Sequence, residues 1–441
     1  MQIKLSDHFG YKTLIKFTLP SILMMVFASV YGVVDGFFIS RYVGKTSFSA
    51  VNFIFPVIMI VTSVGFMIGA GGSALVAKTL GQGEKEKANR IFSMLVYLSV
   101  ILSLILAALG ILFLRPIAKA IGAEGQMLED CLLYGKVLLA ALPFSVLQLE
   151  FQSFLITAER PNLGLVSTVG AGVANMLLDA LLVAVLPFGL LGAALASAIS
   201  QVIGAVIPLL FFALNKTSLL RLTKTGFYGK AFLKTCSNGS SELMSNIAMS
   251  LVSILYNAQL YHFAKEDGVS AYGVLMYVGM IFNAIFIGYS VGTASVVGYH
   301  YGAENKTELK SLLKKSLIIV GVSSICMTLL SHALTVPFSK IFVGYDQALF
   351  SLTCRAFRFF SFAFLFMGFA IYASSFFTAL NNGLISALIS FLRTLVFQTG
   401  AVLILPKFFA LDGVWASLVV AEFTATLISF LFLYATKKRY F

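Results

Sequence analysis

A chain of 441 residues that is 59% hydrophobic and only 11% charged, with a mean hydropathy of +0.94, is not a soluble globular protein. A formal net charge of +13 would suggest nucleic acid in a soluble protein. In a membrane protein, basic loops held on the cytoplasmic side account for it, and nucleic-acid binding drops out. The apolar runs have helix length and lack strand alternation, so the expected class is an all-α integral membrane protein.

An early amphipathic piece, Ile3 to Lys16, carries no small-residue cleavage signature, so the first helix is expected to be retained. Cutting at charge and Pro/Gly punctuation gives about twelve spans: 16–40, 50–77, 91–114, 133–158, 164–186, 190–214, 236–263, 271–299, 313–335, 352–379, 384–405 and 411–435. The first carries Asp35. Just after it, Gly44-Lys45-Thr46 looks like the end of a phosphate loop, but Ile39 stands where that motif needs glycine, so it is not a nucleotide site. In the second span Gly65-x-x-x-Gly69, followed by Gly71 and Gly72, permits close helix packing. The fourth carries Glu150.

The fifth span holds Asn175 and Asp179, four residues apart and therefore on one helix face. A carboxylate at that depth costs on the order of 3 kcal/mol, so such acids usually face a cavity, a partner or an ion path. The first and fifth spans run outward and the sixth returns carrying Ser197, so helical rise puts Asp35, Asp179 and Ser197 at similar depth. If these spans are neighbours, Asp35, Asn175, Asp179 and Ser197 form an oxygen-rich cluster. It suits a hard cation such as Na+, with Asp35, Asn175 and Asp179 as ligands, and it equally suits a proton. The competing reading is two structural acids satisfied separately by neighbouring helices.

Displacing the chain by 221 residues pairs Gly71 with Gly292, Gly81 with Gly302, Lys85 with Lys306, Pro116 with Pro337 and Gly192 with Gly413, without a gap. Two homologous six-helix lobes follow: 1–214, then a basic cytoplasmic linker at 215–235, then 236–441. Six spans per lobe relate the halves by an axis along the membrane normal, the plan of an alternating-access transporter. The same offset puts Tyr256 opposite Asp35 and Gly400 opposite Asp179, so the second lobe does not repeat the acidic site.

Glu242 and Asn246, one turn apart in the seventh span, are candidate cavity residues, as are the adaptable Met24 and Met25. Aromatics crowd the tenth span from Phe357 to Phe377, and a few of them would hold a flat organic cation. Glu150, Arg393 and Glu422 read as structural, with Arg393 expected to pair with an acid. The four cysteines are scattered and form no metal or redox motif. With no His-rich, paired-Cys or nucleotide motif, enzymology and primary active transport lose support, and no cofactor is expected beyond a coupling ion. With the N-terminus inside, the basic loops around Lys12, Lys85, Lys224, Lys310 and Lys437 all fall on the cytoplasmic side, as does the C-terminus.

Val34-Asp35-Gly36-Phe37-Phe38, Gly81-Gln82-Gly83, Asn175-Met-Leu-Leu-Asp179, Gly192-Ala193-Ala194 and Gly413-Val414-Trp415-Ala416 occur in the order and spacing of a known family. The whole chain resembles the multidrug and toxin extrusion (MATE) family, in its bacterial branch of DinF/MepA-type exporters. The resemblance implies a V of two six-helix lobes and export of organic cations or drugs by H+ or Na+ antiport. The coupling site would lie in the first lobe at Asp35, Asn175, Asp179 and Ser197, and Pro20 matches a proline where the first helix is proposed to bend. Ala180 departs from the proline that often follows the aspartate, and the tenth span lacks the acid of the NorM branch. The expectation is a monomeric antiporter in a bacterial cytoplasmic membrane. The rivals are a lipid-linked precursor flippase of the same superfamily, which would favour a cavity lined by Arg and Lys, and a passive channel.

Overall fold

A computed structural model of the chain describes residues 3–440. The helices are α1 (Tyr11–Phe38), α2 (Lys45–Gly81), α3 (Lys85–Ala120), α4 (Gly125–Ala140), α5 (Leu142–Thr157), α6 (Pro161–Asp179), α7 (Gly189–Leu214), α8 (Gly229–Gly302), α9 (Lys306–Val343), α10 (Gln347–Ser361), α11 (Phe364–Ala379), α12 (Gly383–Phe391), α13 (Gln398–Ile404), α14 (Pro406–Ala435) and α15 (Lys437–Tyr440). Nine helices among the described residues are long and apolar enough to cross a membrane, and two bent pairs, α4/α5 at 56° and α10/α11 at 47°, bring the number to 11. The 74-residue α8 turns back at Lys265, whose φ of 52° and ψ of −140° interrupt the helix, so its two limbs count separately and the spans number twelve. Lys265, Glu266 and Asp267 supply charge at that turn, where apolar chain meets the surface. At the α4/α5 bend, Pro143 withholds the N–H that would continue the ladder.

The spans form two six-helix lobes. α1 and α2 of the first pack on α8 of the second, and near the end of α8 the rings of Phe9 and Tyr440 meet those of His300 and Tyr301. A Cβ placed on Gly239 would overlap the carbonyl oxygen of Met67, and one on Gly302 would overlap that of Lys78, so only glycine permits the backbones to approach this closely. Between Met67 and Gly81 of α2 the seam is about 20 Å deep at 1.5 Å per residue. Hydrogen bonds close it: Asn381 Nδ2 donates to Ala74 O at 3.2 Å, and the hydroxyls of Thr157 and Ser295 meet at 2.8 Å.

The expected amphipathic piece Ile3–Lys16 is not one helix. Helix begins only at Tyr11, and the residues before Gly10 form a strap across the seam. Leu5 N–H donates to Glu159 of the first lobe at 2.7 Å, while Phe9 N–H donates to Glu308 of the second at 2.9 Å. His8 Nδ1 lies 2.6 Å from the other Glu308 oxygen, and Lys315 Nζ donates to Phe9 O at 2.5 Å. The side chains of Leu5 and Phe9 are completely buried. Between α7 and α8 the helix-free connector lies along α3, where Arg221 N–H donates to Asn89 Oδ1 at 2.7 Å and Thr223 N–H to Ser93 Oγ at 2.8 Å.

Candidate functional site

Asp35 sits in the last turn of α1, and the chain then widens into a π-helical turn, Ile39–Val43. Asp179 closes α6, and a second π segment, Ala180–Val185, starts at the next residue. A π turn opens the backbone ladder by one residue, a distortion that recurs at functional sites. α6 packs on both α1 and α7, with Gly172 admitting the rings of Phe27 and Tyr31 from α1. This brings the four polar residues expected from the sequence into one cluster. Ser197 of α7 donates to Asp35 Oδ1 at 3.4 Å, and Asp35 neighbours both Asp179 and Asn175. Asp179 is fully buried and Asn175 nearly so. Both Asp179 carboxyl oxygens and Asn175 Oδ1 lack a hydrogen-bond partner among the described residues.

Such a set is chemically unfinished. Two adjacent acids in an apolar medium cannot both stay ionised unless a cation joins them, and unbonded oxygens are acceptors awaiting a proton or a metal ion. Tyr134 of α4, a residue the sequence did not single out, is buried with its hydroxyl in reach of Ser197 and both acids. Nothing distinguishes it in sequence from the other tyrosines.

The second lobe builds a different site. Tyr256, at the position equivalent to Asp35, stacks parallel on Tyr272 with ring centres 5.3 Å apart, and its hydroxyl lies 2.9 Å from Ser417 Oγ. A serine on a late helix thus meets the same position of the first helix in both lobes, with a carboxylate in one and a phenol in the other. Beside this stack is a cavity lined by Glu242, Asn246, Met276, Met367, Phe360 and Trp415, and also by Arg393 and Glu422. Of the aromatics expected in the tenth span, only Phe360 lines it. Met24 is buried against Gly164 in the first lobe; neither it nor Met25 lines this cavity.

Arg393 lies in a third π segment, Leu392–Phe397, as Asp179 directly precedes the second. Its Nε donates to both oxygens of the fully buried Glu422, at 3.0 and 2.8 Å, and Gln398 Nε2 reaches Glu422 Oε1 at 3.5 Å. The expected acid partner is therefore Glu422 on α14, not Glu242. Glu150, fully buried in α5, has both carboxyl oxygens without a hydrogen-bond partner among the described residues.

The family model described as MatE matches residues 20–181 and 243–401, two stretches displaced by about the repeat offset. The chain is 22% identical over 434 residues to the multidrug export protein MepA of Staphylococcus haemolyticus, an alignment covering 97% of this chain and 94% of that protein. It is 23% identical over 430 residues, with the same coverage, to MepA of Staphylococcus aureus. A crystal structure of a MATE protein in complex with MaL6 superposes with a TM-score of 0.93 at 22% identity over 98% of each chain. A MOP superfamily transporter from Pyrococcus furiosus gives 0.91 at 23% identity, over 97% of this chain and 96% of that one. These two structures establish the V-shaped arrangement of the lobes.

Proposed function

The chain belongs to the MatE family, and we propose that it is a cation-coupled multidrug antiporter of a bacterial cytoplasmic membrane, exporting organic cations or drugs from the cell. Multidrug efflux is the activity its MepA relatives are named for. The observation that carries the coupling is the adjacent pair Asp35 and Asp179, of which Asp179 is fully buried with both carboxyl oxygens unbonded among the described residues. With both termini in the cytoplasm, the glycine seam closes the inner side and the V opens outward.

An ion arriving from outside, a proton or Na+, cancels one of the pair's two negative charges. That removes the repulsion between the two carboxylates and lets α1 reseat against α6 and α7. Pro20, buried in α1, has no N–H for the carbonyl of Lys16, so the helix bends there at lower cost than elsewhere. The ion drives exchange because it binds one arrangement of the lobes better than the other. Substrate leaves outward as the site fills, and the emptied site permits the return.

The test is uptake of a fluorescent organic cation into proteoliposomes under an imposed proton gradient, and separately under a sodium gradient. Uptake driven by one gradient and lost in Asp179→Asn supports the reading and names the ion. Labelled lipid-linked precursor crossing while no organic cation moves under either gradient would replace it with a flippase.

A further inference from the structure

The cytoplasmic edge of the seam gathers three basic side chains from three parts of the chain. Lys78 comes from the last turn of α2 in the first lobe, Lys234 from the start of α8 in the second, and Arg439 from α15. Glycines fix where the first two sit: a Cβ on Gly302 would overlap the carbonyl oxygen of Lys78, and one on Gly71 would overlap that of Thr235, the neighbour of Lys234. α15 is pinned by the buried Tyr440, whose ring packs edge-on to Tyr301 with centres 5.9 Å apart and whose hydroxyl accepts a hydrogen bond from Asn382 Nδ2 at 2.8 Å. Lys78 Nζ stands 5.1 Å above the same Tyr301 ring. Lys234 is within electrostatic reach of both Lys78 and Arg439.

No acid forms an ion pair with any of the three among the described residues. Like charges held this close repel, and the contact of Lys78 with a tyrosine ring answers only one of them. An anion between them relieves the repulsion on both lobes at once. The end of α2 and the start of α8 are where apolar helix meets water, the level of the phospholipid phosphates, and basic pockets between helices on the cytoplasmic side suit such headgroups. Lys234 and Arg439 are exposed there, and Lys78 is half-buried. We propose that Lys78, Lys234 and Arg439 form a phosphate site for an anionic phospholipid of the inner leaflet, whose headgroup ties the first lobe to the second across the closed seam. Parting of the lobes at the seam draws Lys78 away from Lys234 and Arg439, so the lipid favours the closed seam by as much as it prefers that arrangement. The leaflet follows from the cytoplasmic termini; the site itself depends neither on export nor on the coupling acids.

The experiment is thermal unfolding of the purified full chain in neutral detergent, titrated with dioctanoyl phosphatidylglycerol, dioctanoyl phosphatidylcholine or inorganic phosphate. A ligand that binds the folded protein raises the midpoint, and the concentration giving half the rise follows its affinity. Phosphatidylglycerol should raise the midpoint at concentrations where phosphatidylcholine and inorganic phosphate do not. Lys78→Gln in the first lobe and Arg439→Gln in the second should each raise the half-maximal concentration about fivefold, the worth of one basic residue at an anionic surface. Arg439 is exposed in a short tail helix, so its variant carries the test alone should Lys78→Gln not fold. The control Lys224→Gln/Lys310→Gln removes two exposed cytoplasmic charges, from the linker and from α9, and should leave the titration unchanged.

Equal stabilisation by phosphatidylcholine or by inorganic phosphate would overturn the lipid assignment. A half-maximal concentration unmoved by the single variants, or moved as far by the control pair, would overturn the site. Gradient-driven uptake judges the exporter reading separately. Uptake without phosphatidylglycerol-selective stabilisation retires the lipid site and leaves export standing, whereas selective stabilisation without uptake does the reverse.

Discussion

Asp179 lies beside Asp35 with both carboxyl oxygens buried and without a hydrogen-bond partner, whereas Asp35 receives a bond from Ser197 at 3.4 Å. The resting site therefore holds one acid that is partly satisfied and one that is not. Replacing Asp179 with Asn removes a like charge from the pair and keeps a side chain of the same shape. The variant should unfold at a higher temperature than the wild type, by the equivalent of about 1–3 kcal/mol, while losing coupled transport. Thermal unfolding in detergent measures this, and a lower transition temperature would mean the acid is a structural support.

The seam makes a prediction of opposite sign. Gly239 packs against the backbone at Met67, where a side chain has no room. Gly239→Val should destabilise this arrangement of the lobes by about 1–3 kcal/mol. Labelling of a cysteine placed at Ala74, inside the seam, should speed up correspondingly; unchanged labelling would show that the seam does not gate access.

Arg393 and Glu422 should behave as a unit. Glu422→Leu strands a buried guanidinium and is expected to cost about 3–5 kcal/mol, whereas Arg393→Met/Glu422→Leu removes both charges and should recover most of that loss. Unfolding of the two variants and the wild type forms the comparison. Equal losses in both would indicate that packing, not charge, is what Glu422 supplies.

Glu159, in the turn between α5 and α6, gives a pH signature outside the membrane spans. Burial raises its carboxyl above the usual range, and the Leu5 N–H and Lys4 only partly oppose this. The folded protein thus holds this proton more tightly than the unfolded chain, so the residue is a liability at neutral pH that eases as pH falls through the raised value. Glu159→Gln keeps an acceptor for Leu5 and should be the more stable protein at neutral pH, with the advantage shrinking on acidification. Melting curves across that range check it, and an advantage that grew in acid would reverse the assignment.

Much of the fold was legible because charge and glycine punctuate the spans in step, and lipid leaves a helix little freedom. Asp35, Asn175, Asp179 and Ser197 could be grouped from helical rise and face alone. The π turns beside Asp35 and Asp179 have no sequence signature, since they depend on packing against α7. Leu5 and Phe9, four residues apart, imitate a helix face, yet their burial comes from an extended strap held by Glu159 and Glu308. The choice of Glu422 over Glu242 as the partner of Arg393 lies in how α12 to α14 pack, and periodicity carries none of that. Met24 shows the converse: an adaptable side chain suggested a cavity, and close packing on α6 uses it as filling.

The most direct test of the account counts ion against substrate in the same vesicles. Proteoliposomes loaded with organic cation and an ion-reporting dye are diluted into substrate-free buffer, so that substrate runs down its own gradient. The account predicts that protons or Na+ move the opposite way, in fixed ratio to the substrate, and that Asp35→Asn and Asp179→Asn abolish the ion movement. Substrate leaving with no counter-moving ion in the wild type would identify a passive channel and contradict the coupling assigned to Asp35 and Asp179.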